Sequence, residues 1–202
     1  MKTFNFVASS FLFLLLALSL SVNAEANQFF ASTSLDDLSD NEAAGLVFMR
    51  EEEKLARDVY IYLYETWGQK TFDNIAVSEQ AHTDAMLELL YKYGIDDPVG
   101  DNPEGIFVDQ NLQGLYDTLI ATGSASLIDA LLVGAAIEEI DLIDIKHLVD
   151  ELDGNDDIRL VYENLIAGSE NHLRAFVRAL EQQGIIYTPG HLSQEEYDAI
   201  IK

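Results

Sequence analysis

Read at alternating steps of three and four, four stretches of the chain each present a single apolar stripe, the pattern of a helix that buries one face. The first stripe is Leu46, Met49, Glu53, Ala56, Tyr60, Leu63 and Trp67, and the second is Ile75, Glu79, His82, Met86, Leu89 and Tyr93. The third is Ile128, Leu131, Ala135, Glu138, Leu142, Ile145, Val149 and Leu152, and the fourth is Ile158, Tyr162, Leu165, Ser169, His172, Phe176 and Ala179. Start and stop signals bound each one. Ser39 or Asp40 opens the first helix and Gly68 follows it. The second runs from about Thr71 to Tyr93 before Gly94. Ser124 or Ser126 opens the third, which ends before Gly154, and the fourth runs from about Asp156 to Gln183 before Gly184. A short helix over NLQGLYDTLIATG precedes the third, and a small terminal helix carries Ser193 and Glu196 at capping-box spacing. No segment alternates as a half-buried strand does, so the fold class predicted is all-α.

The links between helices one and two and between three and four are short, which makes two antiparallel hairpins. Between them, IDDPVGDNPEGIFVDQ holds Pro98, Gly100, Pro103 and Gly105 and cannot continue a helix. A connection of roughly thirty residues is long enough to cross a bundle. The expected architecture is a ferritin-like four-helix bundle with a long crossover between helices two and three, plus short accessory helices.

Every stripe is interrupted by polar residues near its middle: Glu53 on the first, Glu79 and His82 on the second, Glu138 on the third, Ser169 and His172 on the fourth. Glu139 shares a stripe with Lys146 and is expected to face outward. A buried carboxylate with no partner costs several kcal/mol or takes up a proton. Three such acids and two imidazoles at matching depth call for one shared explanation. A divalent metal, or a pair, compensates several carboxylates at once and accepts a lone pair from each neutral imidazole. Glu79 and His82, at i and i+3, share one helical face and can reach one centre.

Composition narrows the chemistry. Residues 1–24 have a basic start, an apolar run too short to span a bilayer comfortably, and Val22-Asn23-Ala24. They read as a secretory signal peptide, which predicts an exported, periplasmic or extracellular protein with no membrane insertion after cleavage. Residues 25–38 read as a loose lead-in and 39–202 as one helical domain. With Cys 0, any metal must be held by His and carboxylates. Lys+Arg 11 against Asp+Glu 36 gives a net charge of −25, which repels nucleic acid and anionic lipid and attracts cations. There is no Gly-rich phosphate motif, and no Ser nucleophile has a base at characteristic spacing.

The residues around the polar positions resemble a known arrangement. Glu53 to Tyr60 (EKLARDVY) is similar to the first helix of rubrerythrins, and NIAVSEQAH to their second-helix Glu-x-x-His. AAIEEID resembles the third helix, with Glu138 and Asp141 at Glu-x-x-Glu positions, and GSENHLRAF the fourth. With the downstream SQEEYDAII, the whole looks closest to an uncharacterised ferritin-like family of secreted proteins, domain of unknown function 2202. The chain departs from rubrerythrins where Ser169 stands three before His172. The acid there is displaced by one step to Glu170, about 100° around the helix.

Two functions fit these residues. In the first, Glu53, Glu79, His82, Glu138 and His172, with Asp141 as a conditional ligand, hold iron or manganese. Dioxygen or peroxide binds there, Tyr60 or Tyr162 serves as a nearby hydrogen-bond or electron donor, and the outcome is iron oxidation or peroxide reduction. Lacking cysteine, the chain has no iron–sulfur module, so turnover as an oxidoreductase would need an external reductant. In the second, the bundle is a non-enzymatic interaction or cation-sequestering module with a degenerate metal site.

Overall fold

Side-chain caps decide where the chain turns helical. Ser39 forms a reciprocal capping box with Glu42 and opens α1 (Asp40–Trp67), whose C-terminus is closed by Gly68 in the left-handed conformation at φ 65°. Two residues later α2 (Lys70–Tyr93) begins, and it ends at Gly94. Asp109 caps α3 (Gln110–Gly123), Ser126 caps α4 (Leu127–Glu151), α5 spans Asp156–Gln182, and a Ser193–Glu196 capping box opens α6 (Gln194–Ile201). The structure, a computed structural model, describes residues 38–202. The predicted signal peptide, and the lead-in up to residue 37, lie outside the described residues. Among those described there is no strand, and no helix is long and apolar enough to cross a membrane.

Contacts between helices give their directions. On α1, Arg50 meets Thr83 of α2 while Tyr60 stacks near Phe72, so the two helices are antiparallel. Gly45 lies against Leu148 and Tyr60 bonds Glu138, which makes α4 antiparallel to α1. On α5, Phe176 packs near Phe72 and against Gly134, whereas Asp157 takes Lys92 and Tyr93, so α5 is antiparallel to both α2 and α4. It follows that α2 and α4 run the same way, and the segment 94–126, which contains α3, carries the chain back along the bundle.

That return segment is fastened by charged residues of α1. Lys54, fully buried, donates to Asp58 at 2.5 Å and to the carbonyl oxygens of Pro103 and Ile106 at 2.9 and 3.3 Å. Asp58 also accepts from the Gly105 amide at 2.9 Å, and Glu51 accepts from the amides of Val108 and Asp109 at 2.6 and 2.9 Å. Arg50 pairs with Asp97 at 3.0 Å. Lys54 and Arg50 are thus both engaged with the crossover.

Glu139 corrects an expectation. It does not face outward: it is fully buried and accepts from the amides of Gly190, His191 and Leu192 at 2.9, 2.6 and 3.1 Å and from Tyr187 Oη at 3.0 Å. The irregular stretch before α6 folds over this side of α4 and needs an acceptor for its free amides.

The four long helices bury their stripes in two separate apolar clusters. One contains Tyr60, Leu63, Phe72, Leu131, Ala135 and Phe176, and the other Leu46, Met49, Met86, Leu90, Ile145 and Tyr162. Between the two lies a polar layer.

Candidate metal centre

The layer collects the polar stripe residues of all four long helices. Glu53, Glu79 and Glu138 are 1–2 % exposed, and the His82 and His172 side chains are 12 % and 9 % exposed. They form two trios, Glu53–Glu79–His82 and Glu79–Glu138–His172, each with one ligand-type atom per residue and all three atoms within 4.8 Å of one another. Glu79 belongs to both. One of its oxygens lies 2.8 Å from His82 Nδ1 and the other 2.8 Å from His172 Nδ1. His82 Nδ1 is also 3.3 Å from Glu53 Oε2, and His172 Nδ1 is 3.4 Å from Glu138 Oε2.

Hydrogen bonding accounts for only part of this proximity: His82 Nδ1 bonds Glu53 Oε2 at 3.3 Å. Glu53 Oε1, Glu79 Oε1 and His172 Nδ1 are buried with no hydrogen-bond partner, although Glu79 Oε1 and His172 Nδ1 are close neighbours. Buried polar atoms are nearly always satisfied, so atoms that converge without bonding each other fit a cation held between them. Two further details prepare the imidazoles. Ser78 Oγ lies 2.9 Å from His172 Nε2, where it can accept that proton and leave the Nδ1 lone pair for the cluster. Gly168 makes room for His82, because a Cβ there would sit 2.5 Å from the ring atoms Cε1 and Nε2. The two imidazoles stack at 5.4 Å.

In the metal-free chain, protons do part of the compensation. Burial alone would lower the His82 pKa, but Glu53 and Glu79 outweigh it and push it up to about 11. For His172 the same contest, against Glu138 and Glu79, ends at about 10. Burial would raise Glu79, yet the two imidazoles hold it down to about 2. Glu53 is raised by burial, opposed by His82 and reinforced by Glu79, to about 7. Burial also raises Glu138, with His172 opposing. The centre therefore has more carboxylates than its own imidazoles can neutralise.

The remaining predicted residues divide. Tyr60 reaches the layer and donates to Glu138 Oε1 at 2.5 Å. Tyr162 is buried in the second apolar cluster near Gly45, outside both trios. Asp141 is buried beside the layer and also outside both trios, with Ser169 Oγ donating to its Oδ2. Burial, together with Glu53 and Glu138, pushes the Asp141 carboxyl well up. Glu170 points elsewhere and pairs with Arg174 at 3.0 Å. Ser78 and Gly168 were not anticipated. Ser78, adjacent to Glu79 on α2, supports the imidazole of His172 on α5, and Gly168, one turn before His172, makes way for that of His82 on α2.

Comparison with known proteins gives relatives without assigned roles. Residues 42–202 match the model for an uncharacterized protein domain, DUF2202. The chain is 48% identical over 174 residues to the uncharacterized protein MJ0754 of Methanocaldococcus jannaschii, a match that covers 86% of this chain and 94% of that protein. The crystal structure of hypothetical protein MJ0754 from Methanococcus jannaschii is similar with a TM-score of 0.81 and 49% identity, covering 85% of this chain and 97% of that one.

Proposed function

Because the chain belongs to the uncharacterized domain family DUF2202, we propose its function from the polar layer itself: it is an exported, ferritin-like metal-binding protein with a carboxylate-bridged pair of divalent metal ions. The observation that carries this reading is the double membership of Glu79, whose two oxygens serve two separate Glu–His groups. Glu53 and His82 would complete one position, Glu138 and His172 the other. Parallel α2 and α4, joined by a crossover that runs the length of the bundle, support the ferritin-like arrangement.

Iron or manganese bound there would supply one-electron chemistry toward dioxygen or peroxide. The chain's own residues hold and orient. Tyr60 donates to Glu138 and leaves that carboxylate's second oxygen toward His172. Ser78 fixes the His172 ring, and the apolar clusters above and below limit the entry of water. Export rests on residues 1–24, and an oxidoreductase in that location would draw electrons from an external reductant.

Ser169 favours a second reading. Where rubrerythrins place a further carboxylate, this chain has a hydroxyl engaged with Asp141, and a cation-sequestering bundle without turnover needs no more than that. Metal analysis tests the common premise: about two equivalents per chain are expected, and Glu79→Ala/His82→Ala should lose them. Equal trace metal in both proteins would sink the proposal. Ferrous oxidation with peroxide or dioxygen, assayed on the loaded protein, then separates the two readings.

A further inference from the structure

The two trios that share Glu79 are not equally braced. In the trio of Glu79, Glu138 and His172, each of the two outer residues is held from behind by a further side chain. Ser78 Oγ lies 2.9 Å from His172 Nε2, and Tyr60 Oη donates to Glu138 Oε1 at 2.5 Å. Tyr60 is itself fixed: it is fully buried, with the rings of Phe72 and Phe176 at 6.2 and 5.2 Å. All three members of this trio are buried. The trio of Glu53, Glu79 and His82 has no such backing. Glu53 bonds His82, a member of the same trio, and among the described residues no hydrogen bond from outside the layer reaches the Glu53 carboxylate or His82 Nε2. The His82 ring is placed by packing against the bare backbone of Gly168, and it is half-buried.

We infer that the two positions hold metal unequally: Glu79, Glu138 and His172 keep a resident divalent ion, while Glu53, Glu79 and His82 form the exchangeable position, where a divalent cation from solution arrives and leaves as cargo. The inference rests on the reading of the layer as a two-metal centre. Outer partners fix the tautomer and orientation of a ligand, and their loss typically costs about 10–100-fold in metal affinity. Glu53 and His82 must be ordered as the ion binds, a cost that the preformed trio does not carry. A resident ion engages the Glu79 oxygen that faces His172 and leaves the other oxygen facing His82. Half-burial of His82 gives the exchanging cation its approach from solvent.

The probe is manganese, titrated into the purified, metal-stripped protein and followed by calorimetry and electron paramagnetic resonance. Isolating each position removes the repulsion between two bound ions: His82→Ala leaves the resident position, and His172→Ala the exchangeable one. His82→Ala should bind its one equivalent at least about tenfold more tightly than His172→Ala does. Adding Ser78→Ala should weaken binding about tenfold in the His82→Ala background and leave the His172→Ala background unchanged, and Ser78→Thr should restore it. A merely structural role of Ser78 would move both backgrounds alike. Equal affinities in the two single variants, or tighter binding by His172→Ala, would overturn the inference and leave the two-metal reading in place. No manganese bound by the unaltered chain would overturn both. Should a variant not fold, crystals of the unaltered protein soaked with limiting manganese decide: a stronger anomalous peak beside Glu138 and His172 supports the assignment, and equal peaks, or a stronger one beside Glu53 and His82, refute it.

Discussion

Glu79 Oε1 and His172 Nδ1 meet at 2.8 Å across α2 and α5, and neither atom has a hydrogen-bond partner. The contact brings a carboxylate and an imidazole nitrogen together at a point shared with Glu138, and on the other side of Glu79 the same happens with His82. Everything proposed for the layer depends on Glu79 being the common anion. In the metal-free protein, Glu79→Gln should therefore lower the pKa of both imidazoles by several units, because each loses an anion that holds it protonated. Imidazole NMR titrations read this directly. Two values that stay near 10 and 11 in the variant would mean that Glu53 and Glu138 suffice by themselves.

Gly168 offers a test that leaves every candidate ligand in place. Alanine is the better helix former, but its Cβ would meet the His82 ring at 2.5 Å, so the ring must turn away. Gly168→Ala should keep its helical circular dichroism while binding metal at least about tenfold more weakly at the Glu53–Glu79–His82 position, the scale seen when support for a ligand is lost. Isothermal titration against the unaltered protein measures the difference. Unchanged affinity would place His82 outside the centre.

The stripes made this layer legible before any coordinates, since a helix commits each residue to a face and four helices then agree on depth. Glu53, Glu79, His82, Glu138 and His172 came together for that reason. The same period says nothing about what covers the opposite face. Lys54, Asp58 and Glu51 lie off the first stripe, and nothing in its period shows that residues 95–109, which have no period of their own, bury them. Glu139 was misplaced through the same blind spot, under residues 187–192. Nor does a stripe give contacts within a layer: Tyr60 and Tyr162 both lie on stripes, yet of the two it is Tyr60 whose hydroxyl bonds a trio member.

Acid–base behaviour of the metal-free protein follows from the shifts, one sign at a time. Glu53 is raised from 4.5 to about 7, so its protonated form is favoured by folding. That contribution is complete below pH 4.5 and is lost as the pH climbs through 7, at most about 3 kcal/mol. His82 and His172, raised to about 11 and 10, contribute fully below 6.5 and lose their share steadily from there until the pH passes their folded values. The unfolding free energy should therefore fall from pH 5 to 8, through Glu53 at first and through the imidazoles above pH 6.5, and Glu53→Gln should flatten the decline between pH 5 and 6.5. Urea denaturation at pH 5, 6.5 and 8 checks it. Stability that does not fall between pH 5 and 6.5 would show that Glu53 ionises freely.

The crossover gives a prediction of a different kind, about what keeps the two hairpins in register. Lys54 is fully buried and bonds Asp58 Oδ2, which is buried as well, while its other protons go to the carbonyl oxygens of Pro103 and Ile106. Replacing Lys54 with methionine keeps the length of the side chain, removes the charge, and leaves Asp58 with Arg57 and the Gly105 amide. Breaking a buried pair on one side typically costs about 3–5 kcal/mol, more than exposed pairs contribute. Because two carbonyl oxygens of the crossover lose their donor at the same time, the loss should appear first as local opening of residues 95–109. Limited proteolysis of Lys54→Met should cut there before global unfolding, while Lys70→Met, which breaks an exposed pair with Asp73, should leave the cleavage pattern unchanged. Equal resistance in the two variants would mean that Glu51 and Arg50 hold the crossover without Lys54.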